Sequence, residues 1–303
     1  MQPAPSLRIW ICSLTIVCII FGSLYLLATD PALLVLNYKR LTDATQKETD
    51  LISKKKHIVS IGSSITRHAI YYDGEMNAFA RQNGFDNFLF IRFVLGGSHL
   101  SQFYPLFDHI IAAKPDIVLF QSSFIAYKKK FQKKHHGQIH SYRYFFKQYV
   151  KYGISFGTSF KKFRHNRKQQ EPLSLRTIKK RQSRSQTPSR LKRIAKRRMQ
   201  WSLRKIDEIP DELDQFFKQA ADAGIKVIIL NLPRSEKSKA GLPGTEEEYI
   251  RLMKDYENNY QIHCLDYPYQ LGLESFVDYH HMTPTSRENY SSWLLKQLNT
   301  LID

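Results

Sequence analysis

The sequence predicts an α/β fold, a three-layer α/β/α sandwich around a mainly parallel five-stranded sheet, with one amino-terminal transmembrane helix. Three observations predict it. Five short apolar runs alternate with longer segments whose apolar residues recur at helical spacing, and that alternation builds a parallel sheet covered by helices on both faces. A long run without charge stands at the amino terminus, over residues 9–29. The formal charge of +19 is concentrated in one internal segment, so it does not characterise the body as a whole.

Residues 1–30 read as a membrane anchor. The run RIWICSLTIVCIIFGSLYLLATD is dense in Ile, Leu, Val and Phe and matches the roughly 20 apolar residues that cross a bilayer as a helix. A cleaved signal peptide has a shorter apolar core and small residues before the cut, whereas Leu26 stands where a small residue is needed for cleavage after Ala28. Val17 before Cys18 argues against a lipoprotein site. Arg8 precedes the span and Lys39 and Arg40 follow it, too weak a bias for the positive-inside rule to set the orientation.

A connector over 31–56 leads into the body, 57–303. Strands are predicted at 57–62, 88–95, 116–121, 225–231 and 262–266, and covering helices at 66–83, 98–113, 207–223, 246–259 and 286–301. Gly224, between Ala-Asp-Ala and the run IKVIILN, reads as a C-terminal helix cap. Pro115-Asp116 punctuates the helix before IVLF. Of the three cysteines, Cys12 and Cys18 lie in the first apolar run and Cys264 stands alone, so no disulfide framework fits the body. No Cys/His spacing suggests zinc, and neither a metal nor a cofactor is expected.

In open sheets of this class ligands bind beyond the carboxyl ends of the strands. After the first strand comes Gly62-Ser63-Ser64-Ile65, a small-residue turn entering a helix, where a serine is exposed at the sheet edge. Such a serine either caps the helix or serves as a nucleophile with backbone N–H groups facing an oxyanion. Near the other end stands Phe276-Val277-Asp278-Tyr279-His280-His281-Met282-Thr283-Pro284, before the final helix. Asp278, three residues ahead of His281, can hold its imidazole in orientation and tautomer. His68, four residues past Ser64, reads as a packed or solvated histidine. Asn231 and Arg234, just after the fourth strand, fall at the same sheet edge, and Arg234 suits a carboxylate or phosphate.

Together these segments resemble the SGNH (GDSL-type) hydrolase superfamily over about residues 56–301, excepting a basic insertion. The resemblance implies an SGNH/flavodoxin-like sheet, Ser64 as nucleophile, and Asp278 and His281 as the rest of a catalytic triad. It implies Gly97, in VLGGSHL, as a backbone donor of the oxyanion hole, with Gly96 the alternative by one residue. One departure matters. The family's Gly-x-Asn-Asp block is replaced by PDIVLFQSSFIA, which puts Ile125 where the oxyanion-donating asparagine is expected. Gln121, Ser122 and Ser123 end the third strand with donors that can substitute, Gln121 also being a candidate substrate contact. The missing asparagine leaves a second reading open, a catalytically degenerate glycan- or partner-binding module.

With Gly-Ser-Ser, the missing asparagine and the anchor, the chain is nearest in style to membrane-anchored envelope O-acyltransferases and the D-alanyl-transfer protein of teichoic acid systems. That resemblance implies ping-pong acyl transfer or ester hydrolysis, with an acyl donor and an envelope glycan or polyol as acceptor. It implies a polytopic membrane-bound O-acyltransferase as partner and a body on the periplasmic or extracellular side. The insertion, 127–205, is the source of the chain's basicity: 26 of the 46 Lys and Arg lie between Lys128 and Lys205, where Glu171 is the only acid. Its interleaved aromatics and cations suit a solvated loop, anionic lipid headgroups or a polyanionic glycan. No nucleic-acid module accompanies it, and the anchor argues against nucleic acid as the partner.

Overall fold

The computed structural model describes residues 6–29, 55–94, 98–129, 201–240 and 242–302. Helix α1 spans Leu7–Thr29, 23 residues, and belongs to a compact unit separate from the body. The expected transmembrane helix is not found among the described residues, where no helix is long and apolar enough to cross a membrane. The side chains of α1 are described only as far as Ile19.

The body is built on five parallel strands, β1 (Lys56–Gly62), β2 (Phe88–Val94), β3 (Ile117–Gln121), β6 (Lys226–Asn231) and β7 (His263–Asp266). Their order is β2-β1-β3-β6-β7, with registers such as Val59↔Ile91, Val59↔Val118, Ile229↔Phe120 and Ile229↔Cys264. The chain steps from β1 outward to β2 and returns to the other side of β1 for β3. The topological switch point, the crevice where such sheets bind ligands, therefore opens between the carboxyl ends of β1 and β3.

Side chains alternate between two apolar layers, as strand geometry requires. On one face Ile58, Ile117, Leu119, Ile228 and Leu230 pack with residues of α2 (Ser64–Ala69), α3 (Asp73–Gln82) and α9 (Pro284–Ile302). On the other, Phe120 meets Phe107 of α4 (Tyr104–Ala113) and Phe216 and Phe217 of α6 (Asp211–Asp222), with ring centroids 5.5–6.0 Å apart. Phe217 in turn meets Tyr256 of α8 (Glu246–Tyr260). Edge-to-face contacts of this kind stabilise a core beyond the area they bury.

The helix ends follow the local chemistry. Gly224 adopts φ +73 after α6, Lys114 closes α4 in the left-handed region, and Thr245 and Glu248 form a reciprocal capping box on α8. One expected element is divided. In place of a single helix over 66–83 the chain forms α2 and α3, because Ile70 turns extended and becomes fully buried. The broken end is served from β2, where the buried Arg92 guanidinium donates to the carbonyls of Arg67 and Ile70. The helix predicted at 98–113 likewise shortens to a 3-10 turn, Leu100–Gln102, followed by α4 with proline in its first turn.

Between β3 and α6 lie three elements not expected from the sequence. Helix α5 (Ser122–Ala126) follows β3 directly, and an antiparallel ribbon joins β4 (Tyr127–Lys129) to β5 (Trp201–Leu203). The ribbon brackets the basic insertion, of which residues 130–200 lie outside the described ones. Arg204 pins its base, donating through Nε to the Ile125 carbonyl at 2.9 Å and through Nη1 to the Glu208 carbonyl at 2.7 Å.

Candidate active site

The turn after β1 is shaped by close approach. A Cβ on Gly62 would fall inside the side chain of Thr66 one turn ahead, so only glycine lets the strand enter α2 this tightly. Ser63 is the N-cap, its Oγ accepting from the Ile65 N–H at 3.3 Å. The capping role considered for either serine falls to Ser63, which leaves Ser64, the first helical residue, free of it.

Asp278, His280 and His281 lie on a short loop closed on itself. Phe276 bridges to Met282, the Val277 N–H donates to the His281 carbonyl at 2.7 Å, and the Thr283 N–H donates to the Ser275 carbonyl at 2.9 Å. Ser235, past β6, donates through N–H and Oγ to the Tyr279 carbonyl at 3.1 and 2.8 Å. Buried Phe276, Val277 and Met282 root the loop in the core.

These two segments, 217 residues apart in sequence, meet. His281 Nε2 lies 2.9 Å from Ser64 Oγ, and His281 Nδ1 lies 2.7 Å from Asp278 Oδ2. Asp278 Oδ1 accepts the N–H groups of His280 and His281 at 3.0 and 2.9 Å. An ionised carboxylate only accepts, so the Nδ1 position carries the imidazole proton and Nε2 is left to accept from the serine hydroxyl. Burial opposes ionisation of Asp278, but the hydrogen bond and charge of His281, with support from His280, outweigh it and hold the carboxyl far below the usual carboxylate range. The arrangement can transfer a proton from Ser64 to His281 while Asp278 steadies the resulting imidazolium.

The segments that carry the resemblance to SGNH (GDSL-type) hydrolases in the sequence, around Ser64 and around Asp278 and His281, are the two that meet here. No model of a known protein family matches the chain, and no curated protein does. Among solved structures it is similar to an assigned acylhydrolase from Bacteroides fragilis, at 12% identity over 86% of this chain and 95% of that one, TM-score 0.38. It is also similar to the acetyl xylan esterase AlAXEase, at 10% identity over 82% and 100% of the two chains, TM-score 0.38. A GDSL-like lipase assigned in Parabacteroides merdae matches at 9% identity over 82% and 97%, TM-score 0.42. The reading of the site rests on its own geometry and on its place at the switch point.

The remaining expected residues divide. Gly97 and Gly96 lie outside the described residues. Ile125, fully buried in α5, offers no donor. Gln121 is buried, its Oε1 accepting from Ser63 N at 2.9 Å and from Ser63 Oγ and Thr66 Oγ1 at 2.8 Å each. Its oxygen faces the turn after β1. Asn231 donates to Asp266 Oδ1 at 2.6 Å and accepts from Ser122 Oγ at 3.3 Å, which ties the ends of β6 and β7 to α5. Ser123 Oγ accepts from Gln121 Nε2, which leaves its own proton for another acceptor. Arg234 is half-buried in the segment after β6.

Two further histidines pack on His281, and for His68 this is the packed alternative of its reading. The rings of His68 and His280 lie 4.6 and 4.3 Å from that of His281, centroid to centroid. Asp278, His280 and His281 also present ligand atoms within 4.8 Å of one another, a three-donor set suited to a metal, but both ring nitrogens of His281 are already spent on Asp278 and Ser64. Burial, followed by the nearby His281, Arg67 and Arg287, lowers the His68 pKa to about 3, with Asp278 pulling the other way. Between that value and the ordinary 6.5 the unfolded chain binds a proton that the folded one refuses. Stability is therefore lost as pH falls through this window. Urea unfolding from pH 7 to pH 4 is expected to show a shallower acid limb in His68→Gln, by up to about one proton in slope; parallel limbs would contradict it.

Proposed function

We propose that this protein is a serine acyltransferase or esterase in which Ser64 is the nucleophile, His281 the general base and Asp278 the orienting carboxylate. The single observation that carries the proposal is the unbroken relay from Asp278 through His281 to Ser64 Oγ. His281 takes the hydroxyl proton as Oγ attacks an ester or thioester carbonyl, and the tetrahedral intermediate collapses to an acyl-enzyme as the leaving group takes that proton from His281. An incoming hydroxyl or water, deprotonated by the same imidazole, then releases the acyl group and restores Ser64. The oxyanion is met by the backbone N–H group of Ser64 and by the Ser123 hydroxyl, which stands in for the asparagine of the family pattern; Gly97 is the further donor that the family resemblance implies.

The substrate class we propose is an acyl group on an extracytoplasmic envelope glycan or polyol, exchanged with a membrane-bound O-acyltransferase. The insertion binds a polyanionic acceptor or anionic lipid. The ribbon that brackets it packs on the body: the Trp201 ring lies 5.5 Å from that of His99, and Tyr127 stacks on Tyr249 at 6.5 Å.

A fluorophosphonate probe tests the proposal. The full-length chain in detergent is expected to be labelled, Ser64→Ala not to be, and Ser123→Ala to be labelled roughly 100-fold more slowly, as for loss of one oxyanion donor. An unlabelled wild type would instead support the binding module that the missing asparagine suggests. Because Lys129 pairs with Trp201, residues 130–200 can be replaced by Asn-Gly, which closes a two-residue hairpin. That variant is expected to keep its labelling but to lose retention on a sulfated-polysaccharide column; unchanged retention would remove the insertion as the polyanion site.

A further inference from the structure

We infer that Gln121 is a positioning residue whose carboxamide sets the nucleophile turn, a role that rests on Ser64 being the nucleophile. The residue ends β3 beside the switch point and is 3% exposed. The Ser63 N–H can only donate, so the amide oxygen must face it. That oxygen also takes the hydroxyl protons of Ser63 and Thr66. The three donors flank Ser64 on both sides, and Ser63 and Thr66 are themselves buried, at 7% and 1% exposure.

With its hydroxyl proton committed to Gln121, Ser63 Oγ can cap only as an acceptor, which it does toward Ile65. The other end of the amide, Nε2, holds Ser123 Oγ. One side chain thus spans from the turn after β1 to the first residues after β3, the two lips of the crevice. Ser64 Oγ reaches His281 at 2.9 Å only while α2 leaves the strand at this angle. Displacing a reacting group by about 1 Å can cost on the order of 100-fold in rate.

The requirement is for a buried acceptor at this position, and two substitutions separate acceptor from shape. In Gln121→Met the three donors lose their partner. In Gln121→Glu a carboxylate oxygen keeps it. The second-order rate of fluorophosphonate labelling of the full-length protein, with melting temperature read in parallel, is expected to fall roughly 30–100-fold in Gln121→Met and to recover to within about 5-fold of wild type in Gln121→Glu, since the acceptor is retained. Thr66→Val, which removes one of the three donors, is expected to slow labelling by about 3–10-fold, a loss near that of one neutral hydrogen bond. Labelling of Gln121→Met at the wild-type rate, or equal losses in Gln121→Met and Gln121→Glu, would overturn the inference. Should Gln121→Met not fold, a wild-type rate in Thr66→Val overturns it instead. Failure of the underlying reading is distinct, because then the wild-type protein itself is not labelled.

Discussion

Turnover of an activated ester is expected to fall by roughly 10⁴-fold or more in Ser64→Ala, and by a comparable factor in His281→Ala. The losses should not multiply. The Ser64 hydroxyl is a poor nucleophile until His281 takes its proton across the 2.9 Å contact, so either deletion removes the same covalent pathway. The double variant is therefore expected to match Ser64→Ala within a few-fold, at the residual rate that binding and oxyanion donors provide. Steady-state kcat/KM of the three variants on one ester decides it. Losses that multiply would mean that His281 acts independently of Ser64, and Ser64→Ala at the wild-type rate would place the nucleophile elsewhere.

Asp278→Asn is expected to lower kcat by about 10⁴-fold with little change in KM. Asparagine keeps the oxygen that accepts the backbone N–H groups of His280 and His281, so the loop retains its shape. Its amide N–H₂ now faces His281 Nδ1 and favours the tautomer with the proton on Nε2, which cannot receive one from Ser64. A change confined to KM would assign Asp278 to substrate binding. The same substitution has a stability signature. The folded carboxyl is held below its unfolded value near 4, so its contribution is full above about pH 4 and is lost as pH falls toward the folded value. Asp278→Asn lacks that contribution, and the gap between the two unfolding free energies should narrow as pH is lowered below about 4.

Much of the framework was legible in the residues. The apolar runs ending in Gly62, Gln121, Asn231 and Asp266 are strand ends in the structure, because a buried parallel strand must be continuously apolar and then stop where its backbone meets a turn. Ser64 could be singled out because it follows such a stop, and Asp278 and His281 because they stand three residues apart just ahead of the final helix. The break at Ile70 could not, since the group that satisfies its carbonyls, Arg92, sits 22 residues away inside the apolar run FLFIRFVL. Nor could the α5 helix and the ribbon, whose few residues carry no period of their own.

The sequence by itself determined the alternation of strands and helices, the presence of a serine after the first strand and of an Asp-x-x-His pair before the last helix, and the confinement of positive charge to one segment. Those properties reside in local order along the chain. Only the tertiary structure decided that β1 and β3 lie side by side, that His281 reaches Ser64 across 217 residues, and that the Gln121 oxygen turns inward to Ser63 and Thr66. Hydrogen-bond direction and distance depend on which strands become neighbours, and that is settled by burying both faces of the sheet at once.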